Sequence, residues 1–166
     1  WDGVVGQGRL QWIQSSAAGM DHCLVPSVIG SHIVVTSASG VLADQVAEHT
    51  IALITGWCRS LPVFFRAQQK KDFIRRPTLD LTHGTVGIVG LGGVGRRLAQ
   101  LLRPFKTRIV ATDLFPVHKP DYVDHLWPAD RLGDLLAESD FVVLCLPLND
   151  STRAIIGSET LAKMKP

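Results

Sequence analysis

The chain has 166 residues, 46% hydrophobic and 19% charged, which supplies a packed core and excludes a disordered polymer. Its 17 Lys and Arg against 15 Asp and Glu leave a formal net charge of +2, short of the basic stripe of a nucleic-acid binder, so no nucleic acid is expected as a partner. Thr50, Thr55 and Arg59 break the best apolar run before it reaches the ~18 residues of a membrane span, so no membrane partner is expected either.

Residues 10–14 read as a short strand, residues 15–19 as a small-residue turn, and residues 33–36 as a second, β-branched strand closed by Ser37, Ser39 and Gly40. The longest helical pattern follows. Ala43, Val46, Ala47, Thr50, Ile51, Ile54, Trp57, Cys58 and Leu61 recur at intervals of three and four, giving one apolar face. Asp44 suits the start of that helix and Arg59 its end, and Pro62 is expected to end or kink it. The basic run from Arg66 to Arg76 reads as a solvated helix face and linker rather than as a phosphate site.

From there strand and helix alternate. Strands are expected at residues 85–89, 108–112 and 141–146, and helices at 93–105, 132–138 and 158–164, the last with Ser158 as its N-cap. Such alternation with short connections predicts an α/β fold with a parallel sheet covered on both faces, which explains the unbroken apolar run at residues 141–144. Trp1 is not an initiating residue, and residues 161–166 read as a helix end with the next element cut away. The chain is therefore read as a piece of a longer protein, with no targeting segment visible. Cys23, Cys58 and Cys145 are widely spaced and form no CxxC pair. A reducing compartment is expected, and a disulfide framework or a cysteine-built zinc site is not.

Gly90-Leu91-Gly92-Gly93-Val94-Gly95 fits G-x-G-x-x-G, directly after one predicted strand and opening the helix that carries Leu98 and Leu102. Gly90 permits the tight turn, Gly92 lets the backbone approach a diphosphate, and Gly95 lets helix and sheet pack closely. Gly93 and Val94 are expected to donate backbone N–H groups to the phosphates. Asp113 ends the next strand, 18 positions after Gly95 and close to the expected ~20 for the carboxylate that bonds the ribose hydroxyls. Neither Leu114 nor Phe115 offers a cation for a 2′-phosphate, so NAD is expected over NADP.

Four stretches together resemble one family, the D-isomer-specific 2-hydroxyacid dehydrogenases, which include phosphoglycerate, glyoxylate and hydroxypyruvate enzymes. They are Ser16 to His22, Gln45 to Thr50 with Arg59 to Pro62, Thr85 to Gly92, and Ser139 to Leu148 with Ser151-Thr152-Arg153 and Met164-Lys165-Pro166. The resemblance implies a Rossmann-type doubly wound parallel sheet, incomplete at the C-terminus, over residues 42–166, beginning with the interdomain helix. Residues 1–41 would be part of a flavodoxin-like substrate domain. It implies a cytoplasmic NAD-dependent oxidoreductase that reduces a 2-keto acid to the D-2-hydroxy acid, working as a homodimer through the helix that starts near Asp44, with a hinge near residues 40–44.

Residue by residue, the resemblance implies that Ala18 and Gly19 present N–H groups to the substrate carboxylate, and that Leu146 and Pro147 line the adenosine side of the coenzyme pocket. The family's arginine, histidine and orienting carboxylate match positions beyond Pro166, so no catalytic residue is assigned here and the chain alone is expected to be inactive. His22, His32, His49, His83, His118 and His125 read as surface or packed histidines, and no clustered ligands suggest a metal. Two other readings stay open: a non-catalytic NAD-sensing or corepressor-like member of the same fold family, and an S-adenosyl-dependent hydrolase with a similar nucleotide unit.

Overall fold

A computed structural model describes residues 1–166. The chain divides into two compact units, Trp1–Leu42 with Leu146–Ile155, and Ala43–Cys145 with Ile156–Pro166.

The first unit holds α1 (Asp2–Val5), β1 (Trp12–Gln14), α2 (Pro26–Ile29) and β2 (Val34–Thr36). The two strands run parallel, with Trp12 opposite Val34 and Gln14 opposite Thr36. Ile13 is buried between two exposed neighbours, the period of two that a half-covered strand demands. It packs with Val28 and Ile33, flanked by Val5, Leu10, Val25 and Val35. Across the pair, the Trp12 Nε1–H donates to Thr36 Oγ1 at 2.8 Å. The short helices are single turns with no repeat to betray them, and Pro26 opens α2, where its missing N–H costs nothing. In the later segment, Asn149 Oδ1 accepts the N–H groups of Ser151 and Thr152, and the Thr152 hydroxyl donates to the Pro147 carbonyl at 2.6 Å.

The second unit holds α3 (Ala43–Cys58), α4 (Leu61–Gln69), β3 (Thr85–Val89), α5 (Gly93–Leu102), β4 (Arg108–Asp113), β5 (His125–Pro128), α6 (Leu132–Glu138), β6 (Phe141–Leu144) and α7 (Ser158–Leu161). Its four strands lie in the order β5-β4-β3-β6, all parallel. Every residue of β3 is buried. Val86 and Ile88 point to one face, where they join Leu98, Ala99 and Leu102 of α5 and Ala47, Ile54 and Cys58 of α3 in a single core. Gly87 points to the other face, where a Cβ would stand 2.2 Å from Ser139 Oγ and 2.6 Å from Leu135 Cδ2. Absence of a side chain there lets α6 lie directly on the sheet, with Leu135 and Leu136 fully buried. The sheet is thus covered on both faces, as the apolar runs require. No helix is long and apolar enough to cross a membrane.

Several elements differ from the sequence expectation. Pro62 does not end the long helix. The break comes earlier, at Ser60, whose φ of 50° is left-handed, and Pro62 sits in the first turn of the next helix, where proline is favoured. The strand β5 escapes the pattern because it is short and ends in a proline. The helix α5 gives way at Arg103 to a 3₁₀ turn containing Pro104. β6 is assigned only to Leu144. Gly157, not Ser158, is the N-cap of α7: its N–H donates to Thr160 Oγ1 at 2.7 Å, and the helix stops at Leu161.

Candidate functional site

The order of the strands locates the site. The chain passes from β3 to β4 to β5 in one direction, then returns to place β6 on the opposite side of β3. Crossovers on either side of this reversal leave a crevice beyond the carboxyl ends of β3 and β6, the usual ligand position in open parallel sheets. The glycine loop leaves β3 at that end.

Each loop glycine has a visible reason. Gly90 has φ of +96°, which only glycine adopts without strain, and its N–H donates to the Thr112 carbonyl at 2.8 Å. A Cβ at Gly95 would stand 2.2 Å from the Gly90 carbonyl oxygen and 3.1 Å from Ile88 Cγ2, so α5 can pack on β3 only without one. A Cβ at Gly92 would meet nothing within 4 Å, which leaves the loop's outer side open to approach. Gly92 is the N-cap of α5 and no side chain caps the helix. The first helical bond runs from the Arg96 N–H to the Gly92 carbonyl, so the N–H groups of Gly93, Val94 and Gly95 have no partner within the helix. Uncapped amides at the positive end of a helix dipole, beside an open glycine, fit a diphosphate.

Asp113 stands at the end of β4, beside the loop. Its Oδ2 accepts the Leu91 N–H at 2.7 Å, and its Oδ1 accepts the Phe115 N–H at 3.0 Å. Sequence reasoning placed Asp113 here but gave no signal of the bond to Leu91, because no spacing rule encodes a carboxylate reaching across to a neighbouring loop. Arg96, one position past the last loop glycine, donates to the His118 carbonyl at 3.2 Å and steadies the segment after β4. Behind the loop, Arg97 forms an ion pair with Asp44, tying α5 to α3.

At the end of β6 the Cys145 N–H donates to the Val89 carbonyl at 2.8 Å, so pairing runs one residue past the strand. Burial pushes the Cys145 thiol up to about 11, which keeps it protonated and unreactive at neutral pH. Leu146 and Pro147 come next in the chain. Leu146 is half-buried and Pro147 exposed, and both belong to the first compact unit.

In that unit, Ala18 and Gly19 lie in the loop after β1. Ser15 Oγ accepts the Ala17 N–H at 3.1 Å, and the Ala17 carbonyl accepts the Ala38 N–H at 3.1 Å. The loop is therefore held on both sides of residue 17, while Ala18 is exposed and Gly19 half-buried. His22 Nε2 lies 3.3 Å from Ser15 Oγ, so its ring braces the same loop. Two concavities of about 520 and 380 Å³ are formed by α3, α4 and residues 71–79, and involve none of the residues just described.

The family model described as "D-isomer specific 2-hydroxyacid dehydrogenase, NAD binding domain" matches residues 51–166. A glyoxylate reductase from Thermofilum pendens is 32% identical over 165 residues, covering 95% of this chain and 48% of that protein. Among solved structures, a glyoxylate reductase from Paecilomyes thermophila is 30% identical with a TM-score of 0.84, over 98% of this chain and 50% of that one. A D-lactate dehydrogenase from Aquifex aeolicus, complexed with NAD and lactic acid, is 27% identical with a TM-score of 0.82, over 95% of this chain and 47% of that one. The chain spans about half the length of these relatives.

Proposed function

This chain belongs to the D-isomer specific 2-hydroxyacid dehydrogenase family and its cofactor is NAD, and from that premise we propose that it forms the coenzyme-holding part of an enzyme that reduces 2-keto acids to D-2-hydroxy acids. The observation that carries the reading is the uncapped glycine loop at the reversal of strand order, with Asp113 on the adjacent strand end.

In this reading Gly92, Gly93, Val94 and Gly95 turn their N–H groups to the coenzyme diphosphate, and Gly90 shapes the turn that brings them there. Asp113 accepts the ribose hydroxyls and repels a 2′-phosphate, so NAD is preferred to NADP. Leu146 and Pro147 line the adenosine side. Ala18 and Gly19 offer N–H groups to the substrate carboxylate, from a loop that Ser15 and Ala38 hold in shape. The coenzyme supplies the hydride; the residues of this chain bind and orient it and keep water from it. The arginine, histidine and carboxylate that handle substrate and proton are placed outside these residues.

We assign residues 1–41 to the substrate domain and 42–166 to the coenzyme domain, with the hinge at residues 40–44. The parent protein pairs with a second copy through α3 and its neighbours, where Val46, Leu53 and Trp57 are exposed at helical spacing.

Titrating NADH into the purified chain while following its fluorescence tests the reading. Saturable but weak binding is expected, weaker still for NADPH, with no oxidation of NADH when glyoxylate or hydroxypyruvate is added. No saturation at millimolar NADH counts against the coenzyme site, and substrate-dependent NADH oxidation counts against placing the catalytic groups elsewhere.

A further inference from the structure

The ribose role leaves part of the Asp113 geometry unused. Its Oδ2 accepts the N–H of Leu91, the residue between the first two glycines of the loop, at 2.7 Å, and its Oδ1 accepts the Phe115 N–H at 3.0 Å. Two backbone bonds, one on each oxygen, fix the plane of the carboxylate. The Leu91 side chain is 2% exposed, so its peptide is held by burial on one side and by a charge-assisted bond on the other. One residue earlier, the Gly90 N–H is held by the Thr112 carbonyl at 2.8 Å. The turn out of β3 is therefore fastened to the end of β4 at two successive peptides. Between Gly90, at φ of +96°, and the open Gly92, Leu91 is the one residue with a side chain to anchor. Without the second fastening, a stretch rich in glycine regains much of its backbone freedom.

We infer that Asp113 is a positioning residue of the glycine loop as well as its ribose acceptor, so that one carboxylate sets both the choice of coenzyme and the grip on the diphosphate. The inference rests on the coenzyme reading above and deepens it. Each carboxylate oxygen has two acceptor sites, so one remains on each for a ribose diol after the backbone bonds are made. The Leu91 N–H is consumed by Asp113 and is not a phosphate donor; the donors begin at Gly92. Removing the carboxylate thus does not simply admit NADP. It frees the loop that both coenzymes need, and the preference narrows through loss of NAD binding rather than gain of NADP binding.

Amide hydrogen exchange on the chain without coenzyme, joined to titrations with NAD⁺ and NADP⁺, tests this. In Asp113→Ala the Leu91 amide is expected to exchange roughly tenfold faster or more, as losing a hydrogen bond to a charged group implies. The amides of Ile88 and Val110 serve as the internal reference for global stability and are expected to be unchanged. Affinity for both NAD⁺ and NADP⁺ is expected to fall. Unchanged Leu91 exchange together with a rise in NADP⁺ affinity overturns the inference and leaves Asp113 a ribose sensor alone. If Asp113→Ala fails to fold, Asp113→Asn replaces it: its neutral oxygen still accepts from Leu91, so a smaller acceleration supports the anchor, and none overturns it. If the unsubstituted chain binds no NAD⁺ but Leu91 exchange responds as described, the anchor stands and the coenzyme reading falls.

Discussion

The two compact units of this chain are built on different terms. Around β3, α5 and α3, thirteen buried residues form one core, and the central strand has no exposed position. In the unit that begins at Trp1, two three-residue strands share a core of Ile13, Val28 and Ile33. The contrast shows where this fold stores its stability: hydrophobic stabilisation follows the apolar area removed from water, and the first unit removes little. Its loop at residues 15–19 is shaped by single polar bonds instead, such as that from the Ala17 N–H to the Ser15 hydroxyl oxygen.

Matched truncations put the comparison at its greatest stretch. Ile88→Ala removes a fully buried side chain from the large core and is expected to cost about 2–5 kcal/mol, enough to unfold much of the coenzyme unit. Ile13→Ala empties part of a three-residue cluster whose surroundings can collapse, and is expected to cost about 2 kcal/mol, at the low end of that range. Urea denaturation followed by Trp fluorescence measures both. Equal losses at the two sites would show that the small unit is as tightly packed as the large one.

The same contrast governs what could be read from the sequence. Strands β3 and β4, helices α3, α5 and α6 and the loop between β3 and α5 were legible because burial forces a pattern: unbroken apolar residues in a covered strand, three-four spacing in a half-covered helix, glycine where backbone must approach backbone. Where burial is slight the pattern fades. The single turns α1 and α2 and the short β5 carry too few residues to show a period. The break at Ser60 was invisible because a left-handed serine has no sequence signature, whereas Pro62 advertised a helix end and in fact opens a helix. At the site, the glycines and Asp113 were legible one by one. The bond from Leu91 to Asp113 was not, since it depends on how far apart β3 and β4 end. Ala18 and Gly19 came only through family resemblance, as small residues in an exposed loop carry no chemistry of their own.

A second, smaller effect sharpens the role of close approach in the larger unit. Gly87 lies mid-strand, where glycine ordinarily weakens a sheet, and no coenzyme motif requires it. Its place is explained by the Ser139 hydroxyl and the Leu135 methyl that a Cβ would strike. Because the Ser139 hydroxyl is itself bonded to the Leu135 carbonyl at 2.6 Å, the obstacle cannot turn away freely. Gly87→Ala is expected to destabilise the unit by about 1–3 kcal/mol through overpacking, read as a lower thermal midpoint. Adding Ser139→Gly should restore part of the loss by clearing the nearer atom; no recovery in the double variant would mean that the strain lies in the strand.

The smallest effect concerns the opposite end of β3 and has a defined pH range. Asp140 Oδ2 accepts the Thr85 N–H at 2.7 Å, and its Oδ1 accepts from Lys165 Nζ at 2.7 Å. The Lys165 ammonium first, and the Thr85 amide second, hold the Asp140 carboxyl below the usual carboxylate range. A group whose folded pKa lies below its unfolded value stabilises the fold fully above the unfolded value of about 3.9, and the contribution drains away as pH falls through the folded one. With both side chains of the ion pair some 40% exposed, solvent screening keeps the effect below about 1 kcal/mol. Lys165→Ala should therefore lower stability slightly at pH 7 and by less at pH 3, a difference that urea titrations at the two pH values resolve. Asp140→Asn should do more at neutral pH, because it also weakens the bond that holds the first amide of β3. If Lys165→Ala cost as much at pH 3 as at pH 7, the lysine would be acting through the packing of its methylene stem and not through its charge.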